Sequence, residues 1–204
     1  VGVAKGTDYE LAPVEFLTKA TFFLHGAPPT LAQIKEAMDG GLATAEGKDA
    51  LIQELLDDPK VIDQMDLFHS MWMGYSELGG QSQNAADFRM ESKALVGKVL
   101  QEGLPWSAVL TATQTFANPT LAKLYDLDDQ TATGWKWRSY KGGLRQGLLS
   151  HGSFLSVGVK FGDTSTTRRG YNIQKAIFCG QSSRPPSTDE NGVPINTDEP
   201  PPSN

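Results

Sequence analysis

Ser150-His151-Gly152-Ser153 sets an imidazole between two hydroxyls, with Arg145 upstream and Arg168-Arg169 downstream. Residue types of this kind suit nucleophilic catalysis or the grip of an anionic group. For a serine hydrolase the spacing is wrong. A nucleophile elbow needs glycine two residues before and two residues after its serine, on a turn that leaves a strand. Gly152 fits the second position relative to Ser150, but Leu148 occupies the first, and no strand pattern precedes it. An arginine pair could clamp a carboxylate or propionate in bidentate fashion. His151, Arg168 and Arg169 are therefore the cofactor-binding candidates. The competing reading sets the two arginines against acidic residues of the same chain.

The other chemistry-bearing residues have simpler readings. His69 stands on a helical stripe between Met65 and Trp72; it suits a metal or haem ligand, or a core histidine with its ring nitrogens hydrogen-bonded. His25 closes a helix, where a cation meets the negative end of the dipole. No second histidine or carboxylate stands at ligand spacing beside His151, so no metal site is expected. Asp126, Asp128 and Asp129 resemble part of a calcium loop but lack its glycine and closing glutamate; an acidic turn at a helix end is expected. Trp135-Lys136-Trp137-Arg138 alternates rings and cations, which either edge a partner or cover the core by cation–π contact. No strand precedes the glycines here, which leaves a phosphate-cradling loop without support.

These residues need positioning, and the first 130 residues supply a helical frame. Residues 10–24 predict a first helix ending near His25-Gly26, and Pro28-Pro29 a turn. Thr30 with Gln33 forms a capping-box pattern, and Gly40-Gly41 stops that helix. Further helices are predicted over about 48–57, after Asp58-Pro59, over about 85–101 and from Pro105 through Phe116. Asn118-Pro119 opens a short one reaching Tyr125. The style then changes: eight glycines between Gly134 and Gly170 rule out a continuous helix. Loops are expected there, with short helices over 143–150 and 168–178. Residues 181–204, with Pro185, Pro186, Pro194 and Pro200 to Pro202, predict an extended or disordered tail. The predicted fold is mostly α: an irregular multi-helix bundle (1–130), a Gly/Arg-rich, loop-containing C-terminal module packed on it (131–180) and a Pro-rich tail (181–204).

Composition narrows the function classes. The 204 residues carry 18 basic and 24 acidic side chains, net −6. The charge is uneven: net −10 over 1–130, +7 over 131–180 and −3 over 181–204. Opposite faces could pair within the molecule, or the basic segment could draw an acidic partner. Overall acidity without a long basic helix argues against nucleic acid. No run of about 18 apolar residues exists to span a membrane. Cys179 is the sole cysteine, which excludes an internal disulfide and a haem-attachment pair; it is either a buried thiol or a bond to a partner's cysteine. The chain opens at Val1 without a charged start or apolar signal core, so on an exported reading any signal has been removed.

Four stretches carry a family resemblance. They are Phe22 to Leu31 with Leu51 to Pro59; Phe68-His69-Ser70-Met71-Trp72-Met73-Gly74; the run Thr113 to Tyr125; and Gly147 to Leu155 with Arg168-Arg169-Gly170 and Cys179 before the prolines. Together they resemble a family of exported, cytochrome-associated bacterial proteins of unknown function, of planctomycete and myxobacterial type. Members usually run on past the prolines into a small c-type haem domain, whose motif is missing from this chain. The resemblance implies a periplasmic or extracellular protein that binds no cofactor covalently, with haem in a neighbouring domain or subunit. It implies partners that are other protein subunits, a c-type cytochrome among them. The expected role is an accessory or scaffold subunit of a redox assembly, non-catalytic by itself. Its expected partner-binding residues are Trp135, Trp137, Arg145, Cys179, Pro185 and Pro186. The rivals are a cell-envelope enzyme acting through His151 and Arg168 or Arg169, and a structural subunit of a larger particle.

Overall fold

A computed structural model describes residues 10–78, 84–131, 133–158 and 165–180; the expected tail, with Pro185 and Pro186, lies outside them. Four helices come first: α1 (Pro13–His25), α2 (Leu31–Met38), α3 (Ala45–Asp57) and α4 (Lys60–Trp72). Local signals set their ends. Gly26 takes the left-handed conformation at φ 65° that stops α1. Thr30 and Gln33 form the reciprocal capping box, with Gln33 N–H donating to Thr30 Oγ1 at 3.3 Å and Thr30 N–H to Gln33 Oε1 at 2.9 Å. Thr44 caps α3 through Gly47 N–H, 3.1 Å, so that helix starts before Lys48, its expected first residue. Leu17, Leu24, Leu51, Leu55 and Val61 make one buried cluster among these helices.

α5 (Ala85–Gln101) is the central pillar, touching α4, α6 (Ala108–Thr111), the strand β1 (Gln114–Ala117) and α8 (Gly152–Leu155). Here the expected helix from Pro105 through Phe116 gives way to α6 and β1. Thr111, Thr113 and Thr115 alternate along this run, and β-branched residues at period two suit a pleated edge better than a helix. Thr115 and Ala117 turn inward while Gln114 and Phe116 do not. β1 pairs antiparallel with β2 (Lys136–Ser139), with Gln114 opposite Ser139 and Phe116 opposite Trp137. Asn118 then caps α7 (Pro119–Leu124) through Leu121 N–H at 2.9 Å.

The segment over 143–150 is not one helix as expected. It forms 3-10 turns at Lys141–Gly143 and Leu148–Ser150, and α8 follows. Gly147 explains the break: its φ is +52°, and a Cβ there would lie 2.3 Å from the Leu110 carbonyl carbon. α9 (Thr166–Ala176) is capped by the Ser165 hydroxyl. The described residues are mostly helical, with this one two-stranded sheet. A second core joins Met73, Tyr75, Leu95, Val99 and Val109 to Leu148 and Phe154, and a third joins Phe88, Leu121 and Leu127 to Tyr140. Residues from both sides of position 130 thus share one interior. Basic residues past 130 meet the acidic turn before it: Lys141 pairs with Asp126 at 2.8 Å, and Lys136 pairs with Asp129.

Candidate functional site

Where α5, β1, α7 and α8 converge, the interior is polar. Glu91, Ser92, Thr115, His151 and Ser153 all have zero exposure. The local cause is periodicity. Glu91 and Ser92 lie on the same α5 stripe as Phe88, Leu95 and Val99, the stripe a helix turns inward. β1 aims Thr115 at them, and the start of α8 brings His151 and Ser153. Gly152 lets α8 approach: a Cβ there would stand 2.2 Å from the Phe88 ring.

The hydrogen bonds form two chains that meet at a gap between His151 and Glu91. The Glu91 carboxyl accepts from Thr115 Oγ1 at 2.6 Å and from the Tyr125 hydroxyl at 2.8 Å. The Tyr125 hydroxyl in turn accepts from Gly152 N–H at 2.7 Å. His151 Nδ1 meets Ser92 Oγ at 3.1 Å, and Ser92 Oγ meets Ser153 Oγ at 2.6 Å. His151 Nε2 lies 3.7 Å from Glu91 Oε1 and has no hydrogen-bond partner. Arg145 lays its guanidinium over the Tyr125 ring at 4.4 Å and donates to Ser150 O at 2.8 Å.

Burial governs the protonation states. It pushes the Glu91 carboxyl up to about 7 against the opposing bonds from Thr115 and Tyr125. It holds the His151 imidazole down to about 3, with the Arg145 charge acting the same way. Each shift favours the neutral form, and the 3.7 Å approach is no ion pair because the imidazole is uncharged, the carboxyl being uncharged only below about pH 7. Burial also raises the Tyr125 and Tyr75 hydroxyls.

Serine, imidazole and carboxyl in sequence resemble a nucleophile, its base and an orienting acid. Ser92, however, is wholly enclosed and its hydroxyl is tied to Ser153. No substrate atom reaches it in this conformation. His151 likewise does not fit a haem or anion ligand, since its free nitrogen faces Glu91 inside the protein. That corrects the expectation that groups it with Arg168 and Arg169: α9 carries Arg168 exposed and Arg169 half-buried, apart from this sealed centre. Among the described residues, no three His, Cys, Asp or Glu side chains gather as metal ligands.

The expected partner-binding residues divide. Trp135 stacks on Phe116 at 5.4 Å, and Lys98 of α5 covers the Trp137 ring at 4.9 Å. The cation–π cover of Trp137 is there, with a cation from α5. Arg138 is instead buried, donating through Nε to Ala117 O at 3.1 Å and through Nη1 to Asp129 O. Arg145 is engaged internally as described, while Cys179 is exposed. His25 donates to Leu55 O of α3 at 2.9 Å, capping a neighbour as well as closing its own helix.

On α4 the stripe through His69 faces inward, but its Trp72 end does not. His69 is enclosed, its Nδ1–H donating to Met65 O at 2.5 Å and its ring 4.7 Å from that of Trp106. Phe68 and Trp72 are half-exposed, and Met71 is 66% exposed. Trp72 Nε1–H donates to Ala176 O at 2.9 Å, at the end of α9, and Phe178 just beyond is 73% exposed. No described helix is long and apolar enough to cross a membrane. Sequence reasoning missed Glu91, Ser92, Thr115 and Tyr125. The one available signal was a pair of polar residues on the inward stripe of α5.

Residues 8–127 match the model of a family described as PSD4: Protein of unknown function (DUF1592). No curated protein matches, and no solved structure does.

Proposed function

Because this chain belongs to the PSD4 family of unknown function (DUF1592), we propose its role from its surface: a non-catalytic helical subunit that docks onto another protein. The observation that carries this reading is an inversion of the usual distribution. Glu91, Ser92, Thr115, His151 and Ser153, the polar groups gathered in one place, are enclosed, while Phe68, Met71, Trp72, Trp106 and Phe178 stand open around α4 and the end of α9. Large exposed aromatic side chains of this kind mark protein contact surfaces. The envelope-enzyme alternative needs His151 within reach of a substrate, and its enclosure counts against that.

The finer part of the proposal is that the protein is exported and that its partner belongs to a periplasmic or cell-surface redox assembly containing a c-type cytochrome. It rests on the resemblance of the four sequence stretches. Purification of the native assembly through a tag on this chain tests both levels. The expected result is co-purification of a second subunit, with a Soret band if that subunit carries haem. Met71→Glu with Phe178→Glu should weaken the association at least about thirtyfold, as loss of an interface hot spot does. A chain that purifies alone overturns the docking reading, and a colourless complex overturns only the redox part.

A further inference from the structure

Resting on the docking reading, we propose that the contact face continues from Phe178 along α9 and that it meets an acidic surface of the partner protein, with carboxylates set against Arg168 and Lys175. α9 leaves Arg168, Tyr171 and Lys175 exposed, and Phe178 just past its end. These residues fall at i, i+3, i+7 and i+10, one stripe of a helix. Asn172, Ile173 and Ala176 turn inward instead. Along the axis the two cationic positions stand about 10 Å apart. The bond from Trp72 Nε1–H to Ala176 O joins the end of the stripe to the aromatic face of α4.

The described cations between position 131 and α9 are engaged inside the molecule. Lys136 pairs with Asp129, Lys141 pairs with Asp126, Arg138 donates to backbone carbonyls and Arg145 lies over Tyr125. The side chains of Arg168, Arg169 and Lys175 make no ion pair among the described residues, and α9 itself holds no Asp or Glu. The dipole at the N-terminal end of α9 opposes Arg168 and Arg169, so helix stability does not account for them. The Arg168 stem rests on the Gly158 backbone, its Cδ 3.3 Å from where a Cβ would stand, and keeps its charged head at the surface. A guanidinium and an ammonium flanking Tyr171 match carboxylates on a protein surface, where such charges speed encounter and fix orientation. The net charge of −6 sets the whole chain against an extended anionic sheet such as a bilayer, and favours a local acidic patch.

Amide NMR shifts of the protein titrated with poly-L-glutamate at low salt test the stripe. They should gather on residues 167–180. Arg168→Glu with Lys175→Glu should weaken binding about tenfold, as loss of two exposed charge pairs does. Lys35→Glu with Lys123→Glu alters exposed cations elsewhere by the same charge and should change binding less than about twofold. Shifts spread over the whole surface, equal losses in the two double variants, or tighter binding to phosphatidylglycerol vesicles than to the polymer overturn the proposal. With the subunit that co-purifies, the association rate should fall about tenfold between about 50 and about 300 mM salt. Arg168→Glu with Lys175→Glu should remove most of that dependence, whereas Met71→Glu with Phe178→Glu should raise the dissociation rate. A rate indifferent to salt overturns the acidic match and leaves the docking reading standing. Absence of any co-purifying subunit removes both.

Discussion

Tyr125 shows how much one side chain carries in this interior. Its hydroxyl donates to Glu91, accepts from Gly152 N–H, and its ring supports Arg145. Tyr125→Phe keeps the ring and removes both hydrogen bonds, leaving a buried N–H unpaired. A loss of about 1–3 kcal/mol is expected from the urea midpoint. Gly152→Ala acts by volume, driving a methyl into the Phe88 ring. It should cost about 1–3 kcal/mol on the same measurement and loosen α8 in hydrogen exchange. His151 was visible as a reactive residue in the sequence, but its partners Glu91, Ser92 and Thr115 were not. They come from elements far apart in the chain, and no local spacing encodes their meeting.

Helix boundaries were the most legible elements because their signals are local. The Thr30-Gln33 box, Gly26, Asn118-Pro119 and the stop before Gly40-Gly41 each act within a few residues. Thr30→Ala should destabilise the protein by about 1 kcal/mol, read as a lower thermal midpoint without change in the sealed centre. Strand β1 was illegible as such. Its threonine alternation competes with an apolar, helix-compatible run, and pairing with β2 across an intervening helix decides the contest. α4 was legible in part: the core reading of His69 holds, but Trp72 of the same stripe is left 41% exposed. Composition alone places aromatic rings inside.

At the scale of the whole molecule, the buried pair shapes the response to pH. Glu91 is raised, so its contribution is complete below its ordinary value of 4.5 and is lost as pH rises through about 7. His151 is lowered, so its contribution is complete above its ordinary 6.5 and is lost as pH falls through about 3. Urea midpoints from pH 3 to 9 should therefore show a plateau between about 4.5 and 6.5 with a decline on each side. Glu91→Gln should remove the alkaline decline and turn the plateau into a slope that rises up to pH about 6.5, because only the His151 contribution remains. From the sequence by itself came the helical class, most helix ends and the charge contrast across position 130, because capping, periodicity and composition act over short distances or none. Only the tertiary structure decided which polar residues are enclosed and which aromatic ones are left outside. Burial is a property of what packs on a residue from elsewhere in the chain, and that sets whether a histidine meets solvent or a carboxyl.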